Sequence, residues 1–134
     1  MGKNTRRWDG ELARGTNVNL AVMQPYLFPY IGYFQLIRSV DVFVIYDDVS
    51  YIQQGWINRN RILLGSKPYL FSVPILDVSS FREVRETLVS PDQYPRFRKK
   101  FISTFECAYR RAPHFSAVRE LVEGVFAAHV STIA

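Results

Sequence analysis

Between Gly15 and Ile37 the chain carries no charged side chain, yet Pro25 and Pro29 stand inside that stretch. A charge-free run of this length is long enough to cross a bilayer as one helix. The two prolines remove two backbone donors and fix φ at both positions, so no continuous helix passes through them. Asn17, Asn19, Gln24 and Gln35 add polar groups that hydrocarbon accommodates poorly. The run therefore reads as a strand, a loop and a helix of a soluble fold, not as a membrane span.

The pattern on either side agrees. Val18 to Met23 (VNLAVM) is a short apolar run suited to a buried strand. Gln24 to Tyr30 (QPYLFPY) is the proline-pinned loop. From Ile31 to Arg38 apolar residues recur at Ile31, Phe34 and Ile37, and Arg38 suits a helix C-terminus. Asp41 to Tyr46 (DVFVIY) is a second strand, continuous in apolar character, as expected of a strand covered on both faces of a parallel sheet. Strand, loop, helix and strand in this order make a βαβ opening. In open α/β sheets ligands bind at the carboxyl ends of the strands. The Gln24–Tyr33 loop and Asp47-Asp48 would both lie there.

Asp47 to Asn60 is a polar and aromatic connection. Arg61 to Leu64 and Tyr69 to Ile75 are expected to pair as a hairpin across Gly65-Ser66, with Pro74 at a strand end or edge. Val84 to Val89 fits a weak strand or a helical turn equally. Pro91 to Ala112 holds the clearest helix, since Phe97, Phe101, Phe105 and Tyr109 line one face and Pro113 ends it. A second amphipathic helix starts at Phe115, with Val118, Leu121, Val122, Val125 and Phe126 on one side. It reaches Ala134 without Gly, Pro or polar cap, which reads as a pattern cut short. Residues 17–134 are expected to form a single α/β domain truncated at its C-terminus, preceded by a mobile basic extension over residues 1–16.

Composition bounds the partners. Of 134 residues, 48% are hydrophobic and 22% charged, so a globular core is feasible and general disorder is not expected. The net charge of +5 favours anionic partners: phosphorylated metabolites, nucleotide-sugars, nucleic acid or anionic lipid. A single cysteine, Cys107, excludes an internal disulfide framework and a cysteine-based zinc site. No base stands beside it in the sequence, so it reads as inert. His114 and His129 are too few for most metal sites without carboxylate help. His114 is expected as a surface or capping residue and His129 on the apolar side of the last helix. No secretory signal opens the chain, and a cytoplasmic location is expected.

The segments MQPYLFPYIGYFQLI (Met23 to Ile37) and VDVFVIYDDVSYIQQGWINRNRIL (Val40 to Leu63) resemble the opening signature of the WbqC-like family. KPYLFSVPI (Lys67 to Ile75) and the later run Tyr109 to Phe115 are similar to the same family's pattern. The resemblance covers about residues 18 to 126. It implies a longer family polypeptide and a role in bacterial surface-polysaccharide biosynthesis, O-antigen above all, more firmly than it implies a reaction. The strand, proline-containing loop and Gly32-Tyr33 helix start are also similar to the nucleotidylyltransferase layout, whose loop carries Gly-His. Tyr33 takes the histidine's place here, so the likeness implies a partly parallel, Rossmann-like sheet and not that family's catalysis.

Particular residues can carry chemistry, each beside a plainer alternative. Gln24, Tyr26, Tyr30 and Tyr33 offer an amide and hydroxyls from a rigid loop, or else the rings pack on the core. Gly32 suits close approach of backbone to ligand or strand. Asp47 and Asp48 can serve as general base or hold a divalent metal, provided a turn aims both at one site; otherwise they cap the next element. Trp56, Asn58, Arg59 and Arg61 suit recognition of an anion, by bidentate guanidinium contacts from Arg59 first, with Arg61 beside it, and by stacking of a sugar or base on Trp56. The alternative is a solvated strand with Trp56 as a core plug. Arg96, Arg98, Lys99 and Lys100 form a basic run on a helix that reads as a solvated face.

The sequence thus supports a transferase-type enzyme acting on a small activated anion, such as a nucleotide-sugar or an acyl donor, with no cofactor specified. A non-catalytic scaffold of the same pathway is the alternative. A nucleic-acid module rests only on pI and the basic helix, without any recognised motif.

Overall fold

Two separate pairs of strands organise the computed structural model, which describes residues 17–128 and 131–133. The extension expected over residues 1–16, and His129, lie outside the described residues. The first pair is parallel. Strand β1 (Leu20–Met23) and strand β2 (Val42–Ile45) run in register, Leu20 opposite Val42 and Met23 opposite Ile45, joined through helix α1 (Ile31–Ser39). The βαβ opening is therefore present. Its start is fixed by Asp41, whose carboxylate accepts the Asn19 N–H at 2.9 Å while the Asn19 carbonyl accepts the Asp41 N–H.

The two faces of this pair differ. Tyr33 is the buried residue of α1, 6% exposed, and its ring meets Phe43 edge-on at 5.4 Å. The periodic residues Ile31, Phe34 and Ile37 face outward instead. A three-residue repeat reveals a helix but not which side meets the sheet, and here the large ring on β2 selects Tyr33. The opposite sheet face, made by Leu20, Val22, Val42 and Val44, is 39–58% exposed. The expectation that β2 is covered on both faces is thus met on one face only among the described residues.

The second pair is an antiparallel hairpin, β3 (Arg59–Leu64) and β4 (Lys67–Ser72). Gly65 and Ser66 both have positive φ, 55° and 64°, as the tight turns of right-twisted hairpins require. Pro74 falls after the strand, where it has no ladder bond to disrupt. Val84–Glu86 is one 3-10 turn, followed by isolated bridges from Leu88 and Val89. Helix α2 (Tyr94–Tyr109) starts with proline in its first turn, and α3 (Phe115–Ala127) packs beside it.

The aromatic face of α2 lies in the core, as its spacing predicts. Phe101 is 3% exposed and touches Phe71 of β4 and Phe126 of α3, with ring centroids at 4.3 and 4.9 Å. Val73, Val89, Phe105 and Val122 complete this core, and Phe28 reaches it from the proline loop. A smaller cluster gathers Tyr51, Ile57 and the fully buried Val84. The fold is mixed α/β: a parallel pair, an antiparallel hairpin and C-terminal helices. No helix among the described residues is long and apolar enough to cross a membrane.

Candidate functional site

The proline loop is tied down from the hairpin side. The Leu27 N–H donates to the Trp56 carbonyl at 3.3 Å. The Asn60 carboxamide donates to the carbonyls of Leu27 and Phe28 at 2.7 and 2.8 Å, and its oxygen accepts the Arg61 N–H at 2.7 Å. These bonds hold Phe28 at φ 51°, a left-handed conformation that costs a branched or bulky residue of order 1–2 kcal/mol. In return the Phe28 ring is delivered to the core, within 6.2 Å of Phe71 and 5.7 Å of Phe126. Asn60 was not among the expected site residues. Alternation along β3 puts it on the inner face with Ile62, and an inward-facing amide flanked by arginines is the signal that identifies it.

A groove of about 330 Å³ opens between this loop and the start of β3. Tyr26, Pro29, Tyr30, Trp56 and Arg61 line it, with Phe28 and Asn60 at its inner end. Both guanidinium groups lie over the Trp56 ring, Arg59 at 5.6 Å and Arg61 at 5.1 Å from its centroid. Their donors are used differently. Arg59 donates from Nε to the Gly55 carbonyl at 2.8 Å and from a terminal nitrogen to the Gln54 carbonyl, so it clamps the preceding turn. Gln54 has φ 63°, which this clamp helps to hold. Arg61 is exposed and makes no side-chain hydrogen bond or ion pair among the described residues.

Asn58 and Tyr33 are spent inside the fold. Asn58 accepts from the Tyr51 hydroxyl at 2.8 Å and donates to the Val73 carbonyl at 2.9 Å. Burial raises the Tyr51 phenol above its ordinary value, with Arg59 pulling the other way. The Tyr33 hydroxyl donates to the Gln24 carbonyl at 3.0 Å, and burial first, then neighbouring Tyr26, raises its pKa. Gly32 makes a close contact with the loop's own Tyr30. A Cβ there would stand 2.5 Å from the Tyr30 ring, so the close approach is to Tyr30.

Asp47 and Asp48 leave β2 at the edge from which Gln24 leaves β1, since Met23 pairs with Ile45 and the Tyr46 N–H bonds the Met23 carbonyl. Their neighbour there is Arg85. Its backbone N–H donates to the Asp47 carbonyl at 3.1 Å, and its guanidinium, bonded to Glu83, feels both carboxylates. The acidic pair thus lies at the parallel-sheet edge, and the aromatic and arginine residues lie beside the proline loop. Among the described residues no group of three His, Cys, Asp or Glu side chains is placed to hold a metal ion. His114 begins α3 at φ 60° and is exposed, so of the two expected roles it takes the surface one and makes no side-chain capping bond. Cys107 is exposed.

The chain matches the model of the WbqC-like protein family over residues 24–134. A curated relative from Mycobacterium tuberculosis (strain ATCC 25618 / H37Rv), "Uncharacterized protein Rv1507c", is 32% identical over 108 residues. Those residues are 80% of this chain and 46% of the relative, so the chain spans about half the length of the curated relative it matches. No solved structure matches it.

Proposed function

The chain belongs to the WbqC-like protein family, and on that premise we propose that it forms the substrate-binding part of a transferase-type enzyme of bacterial surface-polysaccharide assembly, O-antigen included, working in the cytoplasm. The substrate is a small activated anion, a nucleotide-sugar or an acyl donor. The supporting observation is Arg61, stacked on Trp56 at the mouth of a groove walled by Tyr26 and Tyr30. Its donors have no partner among the described residues, whereas those of Arg59 serve the turn. The anion-holding role therefore goes to Arg61 and a positioning role to Arg59. Trp56 offers a face for a sugar or base. Gln24 and the loop tyrosines orient the acceptor. Asp47 or Asp48, at the same strand edge, supplies the base or a metal ligand. Residues 17–134 act as one unit, with β1, α1 and β2 as the opening of a Rossmann-like sheet.

The test is a thermal-shift screen against nucleotide-sugars, acyl phosphates and acyl thioesters, with and without Mg²⁺. A ligand that binds only the folded state raises the melting temperature by mass action. The expected result is a shift with one of these classes that disappears in Arg61→Ala and persists in Arg96→Ala. No shift with any class, or an equal shift in Arg61→Ala, overturns the reading and favours a non-catalytic scaffold.

A further inference from the structure

Behind the groove lies a second, larger cavity of about 400 Å³, and the two share Phe28, Asn60 and Arg61 as walls. Its far side is formed by Phe105, Phe115, Val118 and Val122 from α2 and α3, closed toward the helix turn by Pro113. Its volume is in the range of small-molecule sites, roughly 300–1,000 Å³. Its wall is mostly apolar: among the described residues the only charged side chain on it is Arg61, at the border with the groove. The neighbouring polar anchor is occupied, since the Tyr109 hydroxyl accepts the Leu63 N–H at 2.9 Å. A half-open apolar cavity of this kind suits the burial of a hydrocarbon chain.

We infer that the site takes an amphipathic anion whose charged head rests on Arg61 and whose apolar tail enters this second cavity. The inference rests on the proposed function and narrows it. Of the two substrate classes, the one that carries a hydrocarbon acyl or alkyl tail beside its phosphate or carboxylate fits, and a nucleotide-sugar leaves the apolar cavity empty. The charge is placed by complementarity: one arginine with unpartnered donors among the described residues stands at the boundary of an apolar chamber, which suits a single-headed molecule. Head and tail are then read by different elements. The proline loop and β3 read the anion, and the α2–α3 pair reads the length of the tail.

The probe is a series of n-alkyl phosphates, ethyl, butyl, hexyl and octyl, each below its micellar concentration, titrated into the full chain and followed by backbone amide NMR shifts. Each methylene that leaves water adds about fourfold in affinity, from ~0.8 kcal/mol per buried CH₂. The expected result is a steep rise in affinity with tail length, with shifts at Val118 and Val122. In Val118→Trp, which fills the chamber from a part-exposed position, the dependence on length is lost while ethyl phosphate binds as before. Equal affinity for ethyl and octyl phosphate overturns the inference and leaves the anion site standing. An undiminished length dependence in folded Val118→Trp also overturns it. If no member of the series binds, the inference is overturned, and the thermal-shift screen with nucleotide-sugars decides whether the proposed function falls with it.

Discussion

Asn60 is one amide that three backbone groups depend on, and its replacement separates a structural groove from an accidental one. Asn60→Ala removes the two donations to the Leu27 and Phe28 carbonyls, at 2.7 and 2.8 Å, and the acceptance from the Arg61 N–H. Each hydrogen bond contributes a net ~1 kcal/mol. The freed carbonyls lie in a part-buried loop where water replaces some of what is lost, so a cost of about 2–3 kcal/mol follows. With a urea m-value of about 1–3 kcal/mol/M, the unfolding midpoint drops by roughly 0.7–3 M. Asn60→Asp sharpens the test. Its carboxylate still accepts from Arg61 but opposes the two carbonyls, so it is less stable than Asn60→Ala at pH 7. The folded-state pKa of that carboxyl is raised above the unfolded value of about 3.9. Its stability is therefore full below the unfolded pKa and lost as pH rises through the folded pKa. The Asp variant should regain stability on acidification toward pH 4, relative to wild type. Urea melts of the three proteins at pH 4.5 and pH 7 make the comparison. An Asn60→Ala cost below ~0.5 kcal/mol, or an Asp variant as stable as wild type at pH 7, refutes the claim that this amide holds the loop.

Other expectations follow from single features. Phe101→Ala empties the centre of the aromatic cluster and costs about 3–5 kcal/mol in chemical denaturation; a cost under 1 kcal/mol places the core elsewhere. Burial raises the phenols of Tyr33, Tyr51 and Tyr94. Each then contributes stability that is full below the unfolded value of about 10 and lost as pH rises through the folded one. The melting temperature should fall above pH 10, less steeply in Tyr51→Phe, and identical slopes would contradict the burial of that hydroxyl. Ser66→Gly relieves a positive φ in the hairpin turn and should add roughly 0.5–1 kcal/mol; a loss of stability instead would mean that the turn differs.

The elements were legible because their signals are local. Apolar runs mark β1, ended by Pro25, and β2, ended by Asp47-Asp48, while Gly65 marks the hairpin turn and phenylalanines four apart mark α2. Partnership across the fold was not. Ile31, Phe34 and Ile37 repeat as a core stripe does, yet Tyr33 takes the inner side because Phe43 stands opposite it. Arg59 and Arg61 look alike along the strand. Only the path of the Gln54–Gly55 turn, which folds its carbonyls back onto Arg59, distinguishes them. Asn58 likewise reads as a polar strand residue until Tyr51 and Val73 arrive from distant segments to satisfy it. The acidic pair was placed at the sheet edge by strand order alone, but Arg85 as its neighbour depends on a return of the chain that no local pattern encodes.

Arg61 and Trp56 are proposed to form an anion site. The chain has two tryptophans, so Trp8→Phe leaves Trp56 as the sole indole, with a guanidinium 5.1 Å from its centroid. Its fluorescence, titrated with the ligand that the thermal screen selects, reports the groove directly. The expected result is a saturable change whose midpoint moves at least about tenfold higher in Arg61→Ala, the loss of one charge-assisted contact of ~1.5–3 kcal/mol. A saturable change with the same midpoint in Arg61→Ala, or a ligand that binds without altering Trp56 emission, would contradict it.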